Sequence, residues 1–373
     1  MISTDKILNE LNQNNNALFR SFFLNNKFNF NLKKIKNYKK FKTVIIIGMG
    51  GSILAAKSIY SFLINKKDKN FIFIDNLNLS FIKKVIKQND PKKCLFLVIS
   101  KSGNTIETLV NTSFFSKFLT KRNTIIISEH KSNSLRYFAI KRNIYFINHN
   151  AKIGGRYSVF SDVGMLPAYL MGFDPEKFKS KIPLFLKNKR NYFKSLKNLK
   201  KLNFQKKKIL VLLNYIPELT DFLYWCQQLL AESLGKKNKG FTPIISNAPK
   251  DHHSLLQLYL DGPKDKIFYI FSRKKENCFK VNSSIFGKKS IFLNKKKFSQ
   301  IKIMQKNALI KVFKEKKIQF REITINKYNE ETLGILFFSF IYETIVLGKL
   351  FKVNPYDQPA VERVKILTKK NLA

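Results

Sequence analysis

Two turns in the sequence carry residue types that bind phosphate. The first, IIIGMGGSILAA (45–56), places Gly51 and Ser52 where a helix begins, so that free backbone N–H groups form an anion site. It lacks the last glycine of the dinucleotide fingerprint and the Gly-Lys-Ser/Thr of a nucleotide P-loop. By itself this turn indicates either a phosphate site or an ordinary tight turn.

The second turn, FLVISKSGNTIETL (96–109), follows an apolar run and is rich in hydroxyl groups. A single hydroxyl with Glu107 would suffice to cap a helix, but three hydroxyls occur here within six residues. Hydroxyls and a lysine around a helix start can surround a phosphate monoester. The run leads directly into Ser100, Lys101, Ser102, Gly103, Asn104 and Thr105, and the two turns together predict a sugar-phosphate site.

A base and a cation are predicted from two other motifs. In WCQQLLAESLGKK, Gln228 and Glu232 are four residues apart and share one helical face, which suits a general base with a polar neighbour. The alternative is a solvated Glu232 paired with Lys236. In IGGRYS, Arg156 follows two glycines and is either a solvated loop residue or a functional cation.

Two further motifs are less specific. NAPKDHHSLLQLYLDGP contains His252 and His253, and because adjacent helical residues diverge by about 100° the pair does not suit one metal ion. With no other histidine or cysteine nearby, we expect no metal site. NPYDQPAVERVK contains Gln358 and Lys365, and one lysine among so many carries little information.

The elements that would position these residues alternate between apolar runs and helix-length segments. Such runs are typical of parallel strands covered on both faces. They occur at 44–47, 71–74, 95–99, 124–127 and 144–147, and again at 209–213, 241–245, 267–271 and 320–325. The pattern predicts two doubly wound α/β domains, with a lysine-rich helix and connector over 174–207 and ligands at the carboxyl ends of the strands.

The composition of the chain indicates which partners and which cellular environment to expect. The formal charge is +46, but 61 of the 70 cationic residues are lysine and are spread over the whole chain, which favours compositional bias over a polyanion partner. Cys94, Cys226 and Cys278 are scattered, as in a reducing cytoplasm. We expect no secretory signal, and the apolar stretch 334–351, interrupted by Glu343 and Lys349, predicts a buried helix and not a membrane span.

Together the motifs resemble the glucose-6-phosphate isomerase (phosphoglucose isomerase) family. GMGGS, SKSGNTIETL, GGRYSVFSDVGMLP, QQLLAESLGK with DHHSLLQLYLDGP, and NPYDQPAVERVK occur in the order of that family, over about residues 44–366. The resemblance implies two flavodoxin-like sugar-isomerase domains, 1–172 and 173–329, with a helical segment over 330–373 that completes the active site.

The resemblance also implies roles for individual residues. Ser52, Ser100, Lys101, Ser102 and Thr105, beside Gly51, would hold the 6-phosphate, and Gln228 and Gln358 would bind sugar hydroxyls. Glu232 would move the proton between C2 and C1, and Arg156 would stabilise the cis-enediol intermediate. His253 would open the sugar ring with Lys365, reaching the site from the neighbouring subunit of a homodimer. No cofactor, nucleic acid or membrane is implied.

Three departures from the family pattern matter. Asn104 replaces the usual threonine, His252 stands where glutamine commonly precedes the catalytic histidine, and Ala360 and Val364 replace common glycines before Lys365. Two alternatives stay open. One is a bifunctional glucose/mannose phosphate isomerase, and the other is a non-catalytic sugar-phosphate sensor that binds nucleic acid through its basic surface.

Overall fold

Two parallel β-sheets form the framework of the molecule. The computed structural model describes residues 16–63, 69–187, 207–274 and 279–373. The strands are β1 Thr43–Gly48, β2 Asn70–Ile74, β3 Cys94–Ile99, β4 Thr124–Ser128, β5 Tyr145–Asn148, β6 Ile209–Asn214, β7 Thr242–Asn247, β8 Lys266–Arg273 and β9 Phe320–Ile325. Each predicted apolar run coincides with one of these strands to within two residues, which confirms the predicted α/β fold class.

The strand order explains how the two phosphate-type turns meet. The first sheet has the order β2-β1-β3-β4-β5, which is the flavodoxin-like order, and the second has the related order β7-β6-β8-β9. In the first sheet, Gly48 at the end of β1 pairs with Ile99 at the end of β3. The turns that follow these strands therefore leave the sheet side by side, at the point where the direction of winding changes.

Helices cover both faces of each sheet. They are α1 Ala17–Ser21, α2 Leu32–Lys36, α3 Leu54–Leu63, α4 Leu79–Gln88, α5 Ile106–Phe115, α6 Ser134–Lys141, α7 Asp162–Leu170, α8 Ile182–Lys187, α9 Thr220–Leu234, α10 Leu256–Asp261, α11 Phe298–Glu315, α12 Glu330–Leu350 and α13 Ala360–Leu372. Helix α8 occupies part of the predicted 174–207 segment. The rest of that segment over 188–206, like Cys278, lies outside the described residues.

A single hydrophobic cluster joins the two sheets. It contains Val44 of the first sheet, Leu212 of the second sheet, and α12 residues such as Phe337. Helix α3 packs against α9, and α9 packs against α12. At that contact the ring of Trp225 meets the ring of Phe337 edge-on, with centroids 4.8 Å apart. Because this core continues from one sheet into the other, α9 is held in a fixed position over the carboxyl edge of the first sheet.

Helix α12 is the predicted buried helix, which the structure confirms. Its length and mean hydropathy of 1.7 would allow it to cross a membrane, but 83% of its apolar window is buried inside the protein. Glu343, 1% exposed near its middle, accepts hydrogen bonds from the Tyr269 hydroxyl at 2.5 Å and from Arg321 at 2.6 Å. These partners satisfy a charge that would be costly to bury alone.

Candidate active site

The site lies where the first glycine-rich turn meets the segment that carries Arg156. The backbone of Gly51 packs so closely on that of Gly155 that a Cβ at Gly51 would lie 2.2 Å from the Gly155 carbonyl carbon. Gly50 has φ +51°, and a Cβ there would lie 2.6 Å from Nε2 of Gln228. Only glycine allows this approach, which brings β1, the 155–160 segment and α9 to one place.

Arg156 is the centre of the site. It belongs to the 3-10 helix Gly155–Phe160 and is 3% exposed. Its Nε donates to Ser233 Oγ at 2.8 Å, and its Nη2 donates to the carbonyl oxygens of Pro355 at 2.7 Å and Asp357 at 2.9 Å. Its Nη1 donates to Gln358 Oε1 and to Glu232 Oε2, the latter at 3.2 Å. The five N–H groups of the guanidinium thus match five acceptors on two segments.

Glu232 is oriented by two neighbours and still reaches solvent. Its Oε2 pairs with Arg156, and its Oε1 accepts a hydrogen bond from Gln228 Nε2 at 2.9 Å. The side chain is 32% exposed, whereas that of Arg156 is 2% exposed. The alternative in which Glu232 pairs with Lys236 is wrong, because the Lys236 ammonium pairs with Asp357 at 2.8 Å. A fixed and accessible carboxylate beside a cation suits proton transfer.

The second turn, over 100–105, is held together by short hydrogen bonds. Ser100 Oγ lies 2.9 Å from Thr105 Oγ1, and the Gly103 N–H donates to Ser100 Oγ at 3.2 Å. Gly103 has φ +67°, and a Cβ there would lie 1.8 Å from Asn133 Oδ1. Asn104, which replaces the usual threonine, accepts a hydrogen bond through its side chain from the Ser134 N–H at 2.9 Å. The Asn104 side chain therefore stabilises the loop through its hydrogen bond to Ser134.

Lys101 of this loop lies beside a buried carboxylate. Its Nζ lies 3.7 Å from Oε1 of the buried Glu129. Burial lowers the pKa of Lys101, the Glu129 carboxylate acts in the opposite direction, and the guanidinium of Arg156 adds a smaller lowering. Ser52 ends the 3-10 helix Gly50–Ser52 at the same edge.

Two predicted residues are not brought to this cluster within one chain. His253 is exposed, and in the described part of the chain its ring forms no hydrogen bond or ion pair. His252 instead bonds to the Tyr215 hydroxyl at 2.8 Å, and burial lowers its pKa. Lys365 Nζ pairs with Glu362 at 2.6 Å on a helix with no buried residue.

Two residues of the site were missed from the sequence. Ser233 and Tyr157 each follow a predicted residue directly, and their hydroxyl oxygens lie 2.9 Å apart. The Tyr157 hydroxyl also donates to the Pro355 carbonyl at 2.9 Å. Their adjacency to Glu232 and Arg156 was the only signal. Among the described residues, no group of three or more His, Cys, Asp or Glu could hold a metal ion.

His149 is a buried histidine near the 100–105 loop, and its titration makes the stability of the protein depend on pH. Burial lowers its pKa to about 4, against a smaller raising by the Ile153 carbonyl, which lies 3.2 Å from Nε2. Below pH 6.5 the unfolded chain gains a proton at this position that the folded chain does not bind. The unfolding free energy therefore falls as the pH decreases from about 6.5 to 4, by up to about 3 kcal/mol from this group.

We expect His149→Gln to remove that part of the pH dependence. Glutamine keeps an N–H donor for the Ile153 carbonyl but does not titrate in this range. Urea unfolding of both proteins at pH 7.5, 6, 5 and 4.5 measures the difference. If the two stabilities decline in parallel with falling pH, the neutral state of His149 in the folded protein is disproved.

The sheet order, with a hydroxyl-rich turn and a carboxylate–guanidinium pair at the carboxyl edge, defines a doubly wound α/β protein with a candidate active site at that edge. The model of the family described as phosphoglucose isomerase matches residues 24–372, and the chain belongs to that family.

Individual proteins agree with this assignment. The chain is 34% identical over 350 residues to a protein from Methanocaldococcus jannaschii named glucose-6-phosphate isomerase, covering 90% of this chain and 85% of the relative. A protein of the same name from Acholeplasma laidlawii is 31% identical over 361 residues, covering 88% and 83%. A crystal structure of a hypothetical protein from Thermus thermophilus has the same fold, with TM-score 0.86 and 24% identity over 99% of this chain and 94% of that chain.

Proposed function

We propose that this protein catalyses the reversible isomerisation of D-glucose 6-phosphate and D-fructose 6-phosphate through a cis-enediol intermediate. The observation that carries the proposal is the accessible Glu232 carboxylate, held by Gln228 at 2.9 Å and Arg156 at 3.2 Å. An aldose–ketose conversion needs one base that reaches both C1 and C2, and a cation beside the developing oxyanion. It needs no redox cofactor or metal ion.

The phosphate would bind at the edge of the first sheet, where the ends of β1 and β3 are adjacent. Backbone N–H groups at a helix start, hydroxyl groups and one ammonium are the donors that a phosphate dianion prefers. The residues assigned to it are Gly51, Ser52, Ser100, Lys101, Ser102 and Thr105. The phosphate would thereby anchor the sugar with C1 and C2 directed towards Glu232.

Arg156 would stabilise the enediolate through Nη1. Its Nε and Nη2 are used by Ser233, Pro355 and Asp357, whereas Nη1 faces Glu232 and Gln358, which are also site residues. When substrate enters, the Nη1 hydrogen bonds would pass from these side chains to the sugar oxygens. Gln228 and Gln358 would then bind sugar hydroxyls. A guanidinium already fixed in place avoids reorganisation during the reaction.

Ring opening by His253 with Lys365 requires a second copy of the chain. In one chain, His253 is exposed and α13 carries no buried residue. Helix α13 instead presents apolar side chains to solvent, with Val364 66% and Leu372 71% exposed. Exposed apolar residues at this density indicate an interface. We infer a homodimer in which His253 of one subunit completes the site of the other.

A mixture of two inactive variants tests this arrangement. When Glu232→Gln and His253→Ala chains are denatured together and refolded, each mixed dimer has one site with both residues intact. Activity then recovers to about a quarter of the wild-type value, because half of the dimers are mixed and one of their two sites is complete. Each variant refolded alone is the control. No recovery on mixing, although the mixed dimers form, would place His253 in the site of its own chain.

The activity itself is tested with the purified full chain and glucose 6-phosphate, by following fructose 6-phosphate in a coupled assay. Comparable turnover of mannose 6-phosphate would favour the bifunctional isomerase. Absence of turnover together with tight, salt-resistant binding of nucleic acid would favour the sensor. The scattered cysteines are consistent with our proposal that the enzyme acts in the cytoplasm.

A further inference from the structure

Lys236, one residue beyond the cap of α9, ties that helix to the turn before α13. Its ammonium pairs with the Asp357 carboxylate at 2.8 Å and donates to the Asp357 carbonyl at 2.7 Å. It also donates to the carbonyl oxygens of Asn354 and, at 3.2 Å, Ser233. The Lys236 side chain is 12% exposed and the Asp357 side chain is 51% exposed, so the ammonium is largely buried while its carboxylate partner reaches solvent. One ammonium thereby links the end of α9 to both ends of the turn.

The turn is the part of the C-terminal segment that is attached to the body of the protein. Helix α13 contributes no buried residue, whereas Val353 and Pro355 before it are buried. The direction in which α13 leaves the body is therefore determined by the turn over 354–358. That turn also carries Gln358, which contacts Arg156. A displacement of the turn would move both Gln358 and the start of α13.

Lys236 differs from Arg156, which contacts the same turn. Arg156 contacts Glu232 directly, so its loss would affect the base and the turn at once. The Lys236 ammonium instead bonds to the backbone carbonyl oxygens of Ser233, Asn354 and Asp357, and none of these oxygens is assigned a role in the reaction. Its position beyond the C-terminal end of α9 also places a cation near the free carbonyls of that helix, where a positive charge is favourable. The residue can therefore be changed without removing a group assigned to the reaction.

We propose that Lys236 is a positioning residue, which docks the 354–358 turn so that Gln358 and α13 are placed for the reaction. The proposal rests on the proposed isomerase function for its kinetic consequence. The docking of the 354–358 turn by Lys236 does not depend on that function. A small displacement of groups around a reacting centre can lower a rate by about 100-fold.

Lys236→Met tests the proposal, because methionine keeps much of the length of the side chain and removes its donors. We expect kcat/KM for glucose 6-phosphate to fall on the order of 100-fold, mainly through kcat. The inhibition constant of inorganic phosphate should stay near the wild-type value, since the 100–105 loop does not contact Lys236. Lys236→Arg, which can reach the same oxygens, should recover most of the activity. Lys237→Met is the matched control, because it removes the same charge from an exposed neighbour.

Hydrogen exchange gives a readout that does not depend on catalysis. Faster exchange over 351–360 in Lys236→Met, but not in Lys237→Met, is the expected result. Wild-type kcat/KM in Lys236→Met, or lost activity with an unchanged exchange rate in this segment, would overturn the proposal. If Lys236→Met does not fold, Lys236→Gln is compared in the same way. If the wild-type chain proves inactive, the isomerase function fails, while hydrogen exchange still decides whether Lys236 docks the turn.

Discussion

Glu232→Gln is expected to abolish isomerisation while leaving sugar-phosphate binding nearly unchanged. The amide has the same shape as the carboxylate and can still accept a hydrogen bond from Arg156, which lies 3.2 Å away. It cannot take a proton from carbon. General acid–base groups contribute roughly 10²- to 10⁴-fold in rate, and here one group would serve both carbons, so we expect kcat to fall by at least about 1,000-fold.

Binding separates this effect from a damaged site. The 100–105 loop does not include Glu232, and the hydrogen bonds described for it, within the loop and to Ser134, do not involve Glu232. Titration calorimetry with 5-phosphoarabinonate should therefore give similar affinities for the variant and the wild type, within about tenfold because the Glu232 charge changes. Incorporation of solvent deuterium at C2 should be lost with turnover. Glu315→Gln, an exposed substitution of the same kind, is the control. A wild-type kcat in Glu232→Gln would refute the assignment of the base.

Arg156→Lys is another substitution for which we expect a large loss of kcat/KM, although it keeps the positive charge. The guanidinium contacts Ser233 on one side and the Pro355 and Asp357 carbonyls on the other, at 2.7–2.9 Å. An ammonium has three donors at one point and does not span both sides. Buried acceptors left without a partner cost about 1–3 kcal/mol each. We therefore expect a lower stability together with a loss of kcat/KM of at least about 100-fold.

The two effects of Arg156→Lys are measured separately. Thermal unfolding reports the loss of the contacts with the turn, and kcat/KM reports the loss of the planar donor that Arg156 is proposed to offer the sugar. Arg122→Lys, on an exposed residue just before β4, should change neither quantity. An Arg156→Lys protein with wild-type stability and activity would show that a point charge suffices at this position. The proposed role of the guanidinium would then be wrong.

Much of the fold was predictable because its signals are local. Apolar runs such as those of β1 and β3 are buried on both faces, and the intervals between them are long enough for the covering helices. The glycines at 50, 51 and 103 could also be recognised in the sequence as turn residues. Why these positions require glycine could not be predicted, because the atoms that a Cβ would meet belong to Gln228, Gly155 and Asn133, which are distant in sequence.

The partners of the site residues depended on contacts between distant segments. A spacing of four residues allowed Glu232 to pair with either Gln228 or Lys236, and both pairs fit a helix surface. Packing of α9 against α12 decides between them, because it brings the 354–357 turn within reach of Lys236. The Glu232 carboxylate is then left with Gln228 and Arg156. No local sequence pattern distinguishes between the two pairings of Glu232.

Residue types and their spacing were enough to define the class of the sheets, the two turns at the carboxyl edge of the first sheet and the residues from which a site could be assembled. Which of those residues meet within one chain became clear from the folded packing alone. Arg156, Gln228, Glu232 and Gln358 come together, whereas His253 and Lys365 lie apart on exposed surfaces. The physical reason is that strand formation follows short-range burial patterns, whereas a buried guanidinium takes its partners from whichever segments the shared core brings beside it.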